Sequence, residues 1–122
     1  MAPGQFLLSD ADSPVRLWDV RAGHHVKEWI HEEKLVVNCL ETDNSLTFVT
    51  GTEKLACVRV WDKRHPEKLI NIFKAEKGST PSNVYSIDFD HEHLYCCLDH
   101  QVIHHNFNVP HNQLKSSSHK IL

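Results

Sequence analysis

The sequence is poor in the features that usually mark chemistry. It holds only four glycines in 122 residues, and none of them builds a phosphate-cradling loop. Neither C-x-x-C nor H-E-x-x-H occurs, so two common zinc signatures are missing. No G-x-S-x-G turn or other setting for an activated nucleophile is present. No apolar run approaches the length of a membrane span. The N-terminus, MAPGQFLLSDADSP, has no Lys or Arg ahead of its short apolar patch and does not read as a secretory signal. Thirteen basic against sixteen acidic residues leave a net charge of -3. That is neither a field for nucleic acid nor a polybasic membrane anchor. These absences point away from an enzyme, and no cofactor, nucleic acid or membrane is expected.

What is present is ordinary in bulk and unusual in detail. Hydrophobic content of 40% and charged content of 24% suit a soluble globular chain, either one small domain or part of a larger one. Eleven histidines are many, and titrating a good part of them would reverse the net charge in mild acid. The four cysteines, Cys39, Cys57, Cys96 and Cys97, make a poor disulfide framework. They are expected to be reduced thiols in a cytoplasmic or nuclear protein.

One phrase is written twice. VRLWDVRAGHHV begins at Val15 and VRVWDKRHPEKL at Val58, 43 positions later. Trp18 falls on Trp61, Asp19 on Asp62, Arg21 on Arg64, and the copies align without a gap from Val15 to Ile30. A period of this length, with Trp-Asp ending a short β-rich run, marks a propeller blade. Val15 and Leu17 alternate with Arg16 and Trp18, as in a strand. Asp19 to Gly23 reads as a turn and residues 25–30 as the returning strand.

Four strands fill one unit, at about residues 36–41, 46–50, 57–61 and 68–73. Upstream, residues 5–9 fit the second strand of a preceding blade that has lost its first. Downstream, residues 83–89, 94–98 and 102–107 fit a last blade whose Trp-Asp has decayed to Phe107-Asn108 or to His105-Asn106. The reading is therefore all-β, a partial β-propeller of about two and a half four-stranded antiparallel blades over 1–108. It comprises a blade remnant at 5–30, a blade at 35–73 and a last blade at 83–108. Residues 109–122, with a Ser-Ser-Ser run, read as a disordered tail. A sheet apolar on both faces is stable only when stacked on its like, which explains the recurrence.

The phrases resemble WD40 repeats. Read together, WDVRAGHHVKEW, NCLETDNSLTFVTGTEKLACVRVWDKR and NVYSIDFDHEHLYCCLDHQVIHHNF are similar to the C-terminal part of F-box/WD repeat proteins. In WD40 repeats a strand Trp, a hydroxyl residue, a loop Asp and a His form a polar chain within each blade. Asp12 stands where that loop Asp belongs in the first unit. Leu55 takes the position in the second, so the chain is expected to be broken there. No Gly-His pair precedes the first strands, and His31 is the nearest candidate. The resemblance implies substrate recognition in an SCF (cullin-RING) ubiquitin ligase. The partner would be a protein substrate, phosphorylated or not, with Skp1 gripped through an F-box that this stretch does not contain. It also implies a fragment or incomplete gene product, with unpaired edges that favour self-association. The alternative is a WD40 scaffold unrelated to ubiquitination; a metal-binding or hydrolytic protein is the reading from another class.

Particular residues carry competing readings. Trp18 and Trp61 read as packing residues, and Asp19 and Asp62 as turn formers. Arg16, Arg21, Arg59 and Arg64 could grip a phosphorylated substrate. Nothing in their spacing makes them converge, which favours solvated side chains or intrachain ion pairs. His91, His93, Cys96, Cys97, His100, His104 and His105 have the right chemistry for zinc, but strand alternation sends Cys96 and Cys97 to opposite faces. No metal site is expected.

Overall fold

The computed structural model describes residues 3–9, 14–30, 35–43, 46–54, 56–66, 69–74, 82–107 and 119–120. Every regular element among them is a strand. The first sheet, blade 1, holds β1 (Gln5–Leu8), β2 (Val15–Asp19) and β3 (His24–Trp29) in that order. Blade 2 holds β4 (Val37–Thr42), β5 (Thr47–Thr52), β6 (Cys57–Asp62) and β7 (Leu69–Lys74). Blade 3 holds β8 (Ser86–Phe89), β9 (His93–Cys97), β10 (Val102–Asn106) and β11 (His119–Lys120). Within each sheet every strand pairs antiparallel with the next in sequence, so every sheet is a meander.

The period-two alternation of a strand assigns residues to the two faces of each sheet. In blade 1 the facing pair Leu7–Leu17, with Val15 and Trp29, turns toward blade 2. Phe48, Trp61 and Val37 of blade 2 meet it, and these residues form one core cluster. The opposite side of blade 2, through Val49, Val58, Val60 and Phe73, meets Ile87, Leu94, Cys96 and Ile103 of blade 3 in a second cluster. Blade 2 is thus covered on both sides. Residues Cys57 to Trp61 of β6 are all buried, where simple alternation would have left every second one wet.

Gly51 sits where this packing is tightest. A Cβ there would stand 2.5 Å from Val84 Cγ1 and 2.6 Å from Cys39 Sγ, so β5 approaches blade 3 as closely as only glycine permits.

The structure refines the reading in three places. The two copies of the repeat are not gap-free. Val15 faces Trp29 while Val58 faces Phe73, so the second turn is one residue longer. Gly23 closes the first turn at φ +74°, and its N–H donates to the Asp19 carbonyl at 2.9 Å. The second turn carries Pro66 and has no glycine. In blade 3 the repeat's Trp-Asp position belongs to His105-Asn106, because His105 faces Leu94 as Trp61 faces Phe48. Finally, His119–Lys120 lies against β10 as a fourth strand, within the segment read as a tail. The exposed edge of β10 offers unpaired backbone groups, and a short strand satisfies them despite its polar neighbours. The other tail residues lie outside the described residues.

Candidate interaction surface

The turns that end the Trp-bearing strands are built by their aspartates. Asp19 Oδ1 accepts from the Arg21 N–H at 2.9 Å and the Ala22 N–H at 3.3 Å, and Gln5 Nε2 donates to Oδ2 at 3.3 Å. The Gln5 bond, then the two backbone bonds, hold this carboxyl below its ordinary range. Asp62 repeats the design with more charge. The Arg64 N–H reaches Oδ1 at 2.8 Å, Arg64 Nε reaches Oδ1 at 3.1 Å, and Nη2 reaches Oδ2 at 2.8 Å. That fork pulls the Asp62 carboxyl to about 2, with the Arg64 side chain as first cause.

The second turn is also gripped from the neighbouring sheet. Trp29 Nε1 on β3 donates to the Asp62 carbonyl at 3.0 Å, and Lys27 Nζ donates to the Lys63 carbonyl at 3.0 Å. The Trp29 ring meets Phe48 edge-on at 4.9 Å, and Phe48 stacks on Trp61 at 6.3 Å. Sequence reasoning passed over Trp29, because the gap-free alignment set it on Ile72. The true counterpart, Phe73, makes the equivalent contact with blade 3, meeting His105 at 4.8 Å and Phe107 at 5.4 Å.

Half of the expected polar chain survives in blade 2. Trp61 Nε1 donates to Thr50 Oγ1 at 2.9 Å, and both residues are buried. Asp12, the loop candidate of blade 1, and Leu55, its counterpart, lie outside the described residues, as does His31. In blade 1 the position of Thr50 belongs to Leu8, because Leu8 faces Arg16 as Thr50 faces Arg59. Trp18 Nε1 is accordingly without a hydrogen-bond partner among the described residues.

A Trp on the third strand of a four-stranded meander, bonded to a hydroxyl on the second, stands beside a matching overall shape. Chaetomium thermophilum Raptor, a WD40 protein, superposes with a TM-score of 0.75 over 98% of this chain and 11% of its own, at 17% identity. The computationally designed Ika8 protein superposes at 0.61 over 79% of this chain and 28% of its own, at 15% identity. The fold is a partial WD40 propeller. By sequence, the chain is 30% identical over 111 residues to F-box/WD repeat-containing protein 4 of Mus musculus. It is 29% identical to the protein of that name from Homo sapiens. Each alignment covers 89% of this chain and 27% of the relative, so the chain spans about a quarter of the curated relatives it matches. No protein-family model matches it.

The propeller separates the four arginines. Arg21 and Arg64 lie exposed on the turns after β2 and β6. Arg16 lies on β2 with Nε 3.9 Å from Glu28 Oε2. Arg59 is 3% exposed, which contradicts a solvent-facing role; its Nη1 donates to Thr52 Oγ1 at 3.3 Å and to Cys57 Sγ at 3.3 Å. It lies on the face of β6 that carries Trp61, the side that blade 1 covers.

The histidine-rich last blade is likewise divided by its strands. His91 and His100 are exposed at turns, while Cys96 and His105 face blade 2. His93, Tyr95 and His104 lie together on the far side, with His93–His104 centroids at 5.1 Å and Tyr95–His104 at 4.8 Å. Among the described residues no three His, Cys, Asp or Glu side chains stand where they could hold a metal ion. Burial pushes the thiols of Cys39 and Cys96 up to about 11 and about 12. It pushes His105 down to about 4, with His104 adding to the effect.

The Trp61–Thr50 bond has a measurable value. Thr50→Val removes the acceptor and strands an indole N–H in a dry interface, which costs about 1–3 kcal/mol. A lower urea midpoint with an unchanged slope is expected. An unchanged midpoint would show that the N–H is satisfied elsewhere.

Proposed function

We propose that this chain is the substrate-recognition part of an F-box/WD repeat protein, acting within a cullin-RING ubiquitin ligase. The observation that supports the reading is the 30% identity to F-box/WD repeat-containing protein 4 across 89% of the chain. Rigid blades would present their turns to a protein substrate, and bond chemistry would belong to other subunits. Arg21 and Arg64 are exposed cations on those turns and the candidates for contact with a phosphorylated substrate. Skp1 would be held through an F-box elsewhere in a longer product, in the cytoplasm or nucleus.

Immunoprecipitation of the longest product of the same locus tests this. Skp1 and a cullin are expected to accompany it, and to remain bound when residues 1–122 are deleted. A product that carries neither would sink the ligase reading and leave a WD40 scaffold unrelated to ubiquitination.

A further inference from the structure

The two seams between blades differ in one respect that acid can read. Among the described residues, no histidine enters the cluster between blades 1 and 2. The seam between blades 2 and 3 encloses one. His105 is 2% exposed, with its ring 4.8 Å from that of Phe73 on β7 and its backbone facing Leu94 on β9. It holds the position that Trp61 holds in blade 2. One seam is thus sealed by an indole that stays neutral and the other by an imidazole that titrates in mild acid.

The surroundings of His105 oppose a charge. Blade 2 turns Val49 on β5, Val60 on β6 and Phe73 on β7 toward this seam. The ionisable groups within the cluster are the thiols of Cys39 on β4 and Cys96 on β9, which burial keeps protonated. Lys74 on β7 pairs with Cys57 and so lies on the other face of blade 2, and Asp88 on β8 pairs with Tyr95 and lies on the other face of blade 3. β11 meets β10 at Ile103 and His104, short of His105. His104, next in the chain, repels a second proton. The Phe73 ring attracts a cation, but by less than the lost hydration of a buried imidazolium costs. Opening the seam returns the ring to water, so proton uptake and opening are linked.

We propose that the seam between blades 2 and 3 is an acid-sensitive latch, which proton uptake by His105 opens while the seam between blades 1 and 2 stays closed. The opened seam uncovers the apolar face of blade 2 that carries Val49, Val60 and Phe73, a surface hidden at neutral pH. The loosening is regional, a sub-global opening of one interface rather than of the whole fold.

Two buried cysteines report the two seams separately. Cys96, 4% exposed, belongs to the seam between blades 2 and 3, whereas Cys57, 1% exposed, lies on the Trp61 face of β6, toward blade 1. The whole chain is labelled with N-ethylmaleimide at pH 7.5 and pH 4.5, and the sites are assigned by peptide mass spectrometry. Each rate is divided by that of the urea-unfolded chain at the same pH, which cancels the reactivity of the thiol itself. The relative rate at Cys96 should rise at least about tenfold at pH 4.5. That at Cys57 should stay level. In His105→Leu the rise at Cys96 should vanish, and His105→Phe, which keeps a ring, repeats the test if leucine leaves the seam loose at pH 7.5. Equal rises at both cysteines would mean that the whole fold loosens, and would overturn the proposal. So would a Cys96 rate indifferent to pH, or a rise that survives the loss of His105.

Discussion

Trp29→Ala is expected to lower the unfolding free energy by about 3–5 kcal/mol, the range for deleting a large buried aromatic. That is a large part of the stability of a typical domain. Trp29 is fully buried between two sheets, and its N–H holds the carbonyl that ends β6. The substitution opens a cavity beside Phe48 and frees the Asp62 turn at the same time. Ile30→Ala, one residue along and 64% exposed, should cost no more than about 0.5 kcal/mol. Urea unfolding of both variants, followed by circular dichroism, makes the comparison. Equal midpoints would mean that blades 1 and 2 do not share this core.

The second large effect is acid lability through His105. An unfolded chain binds a proton at this imidazole near pH 6.5, but the folded chain does so only near 4. The unfolded state therefore holds more protons between those values, and stability falls as the pH falls. The contribution is complete above about pH 6.5 and gone below about 4, for a total of about 3 kcal/mol. His105 is held in its neutral form by burial against Phe73, with His104 alongside. His105→Leu should remove this share of the pH dependence. Unfolding measured for both proteins at pH 7.5 and pH 4.5 gives the difference directly. Parallel losses in the two proteins would show that His105 does not titrate as its burial requires.

Strand positions were largely legible because their cause is local. Alternation over Val15–Trp18 and Val58–Trp61, closed by Asp and turn residues, placed β2 and β6 within a residue of where they lie. What needed coordinates depends on a second sheet. Arg59 sits in a strand that reads as half-exposed, and only a covering blade buries it. Trp29 was hidden by one residue of extra turn. Thr50 is one of many threonines until β5 brings it beside Trp61. His105 competed with Phe107 for the same slot until the pairing with Leu94 decided between them. The short β11 has no apolar alternation to betray it, since its place comes from the free edge of β10.

The succession of meanders sets an order of events on the ribosome. Each sheet can pair its strands as soon as its own residues emerge, but Leu7 and Leu17 find cover only when Phe48 and Trp61 have been made. At about 5–20 residues per second, that interval lasts several seconds. A nascent chain with blade 1 complete thus shows a greasy flank for far longer than a hairpin takes to form. It is in that window that a chaperone would find its grip, and a pause in translation after Trp29 would lengthen it.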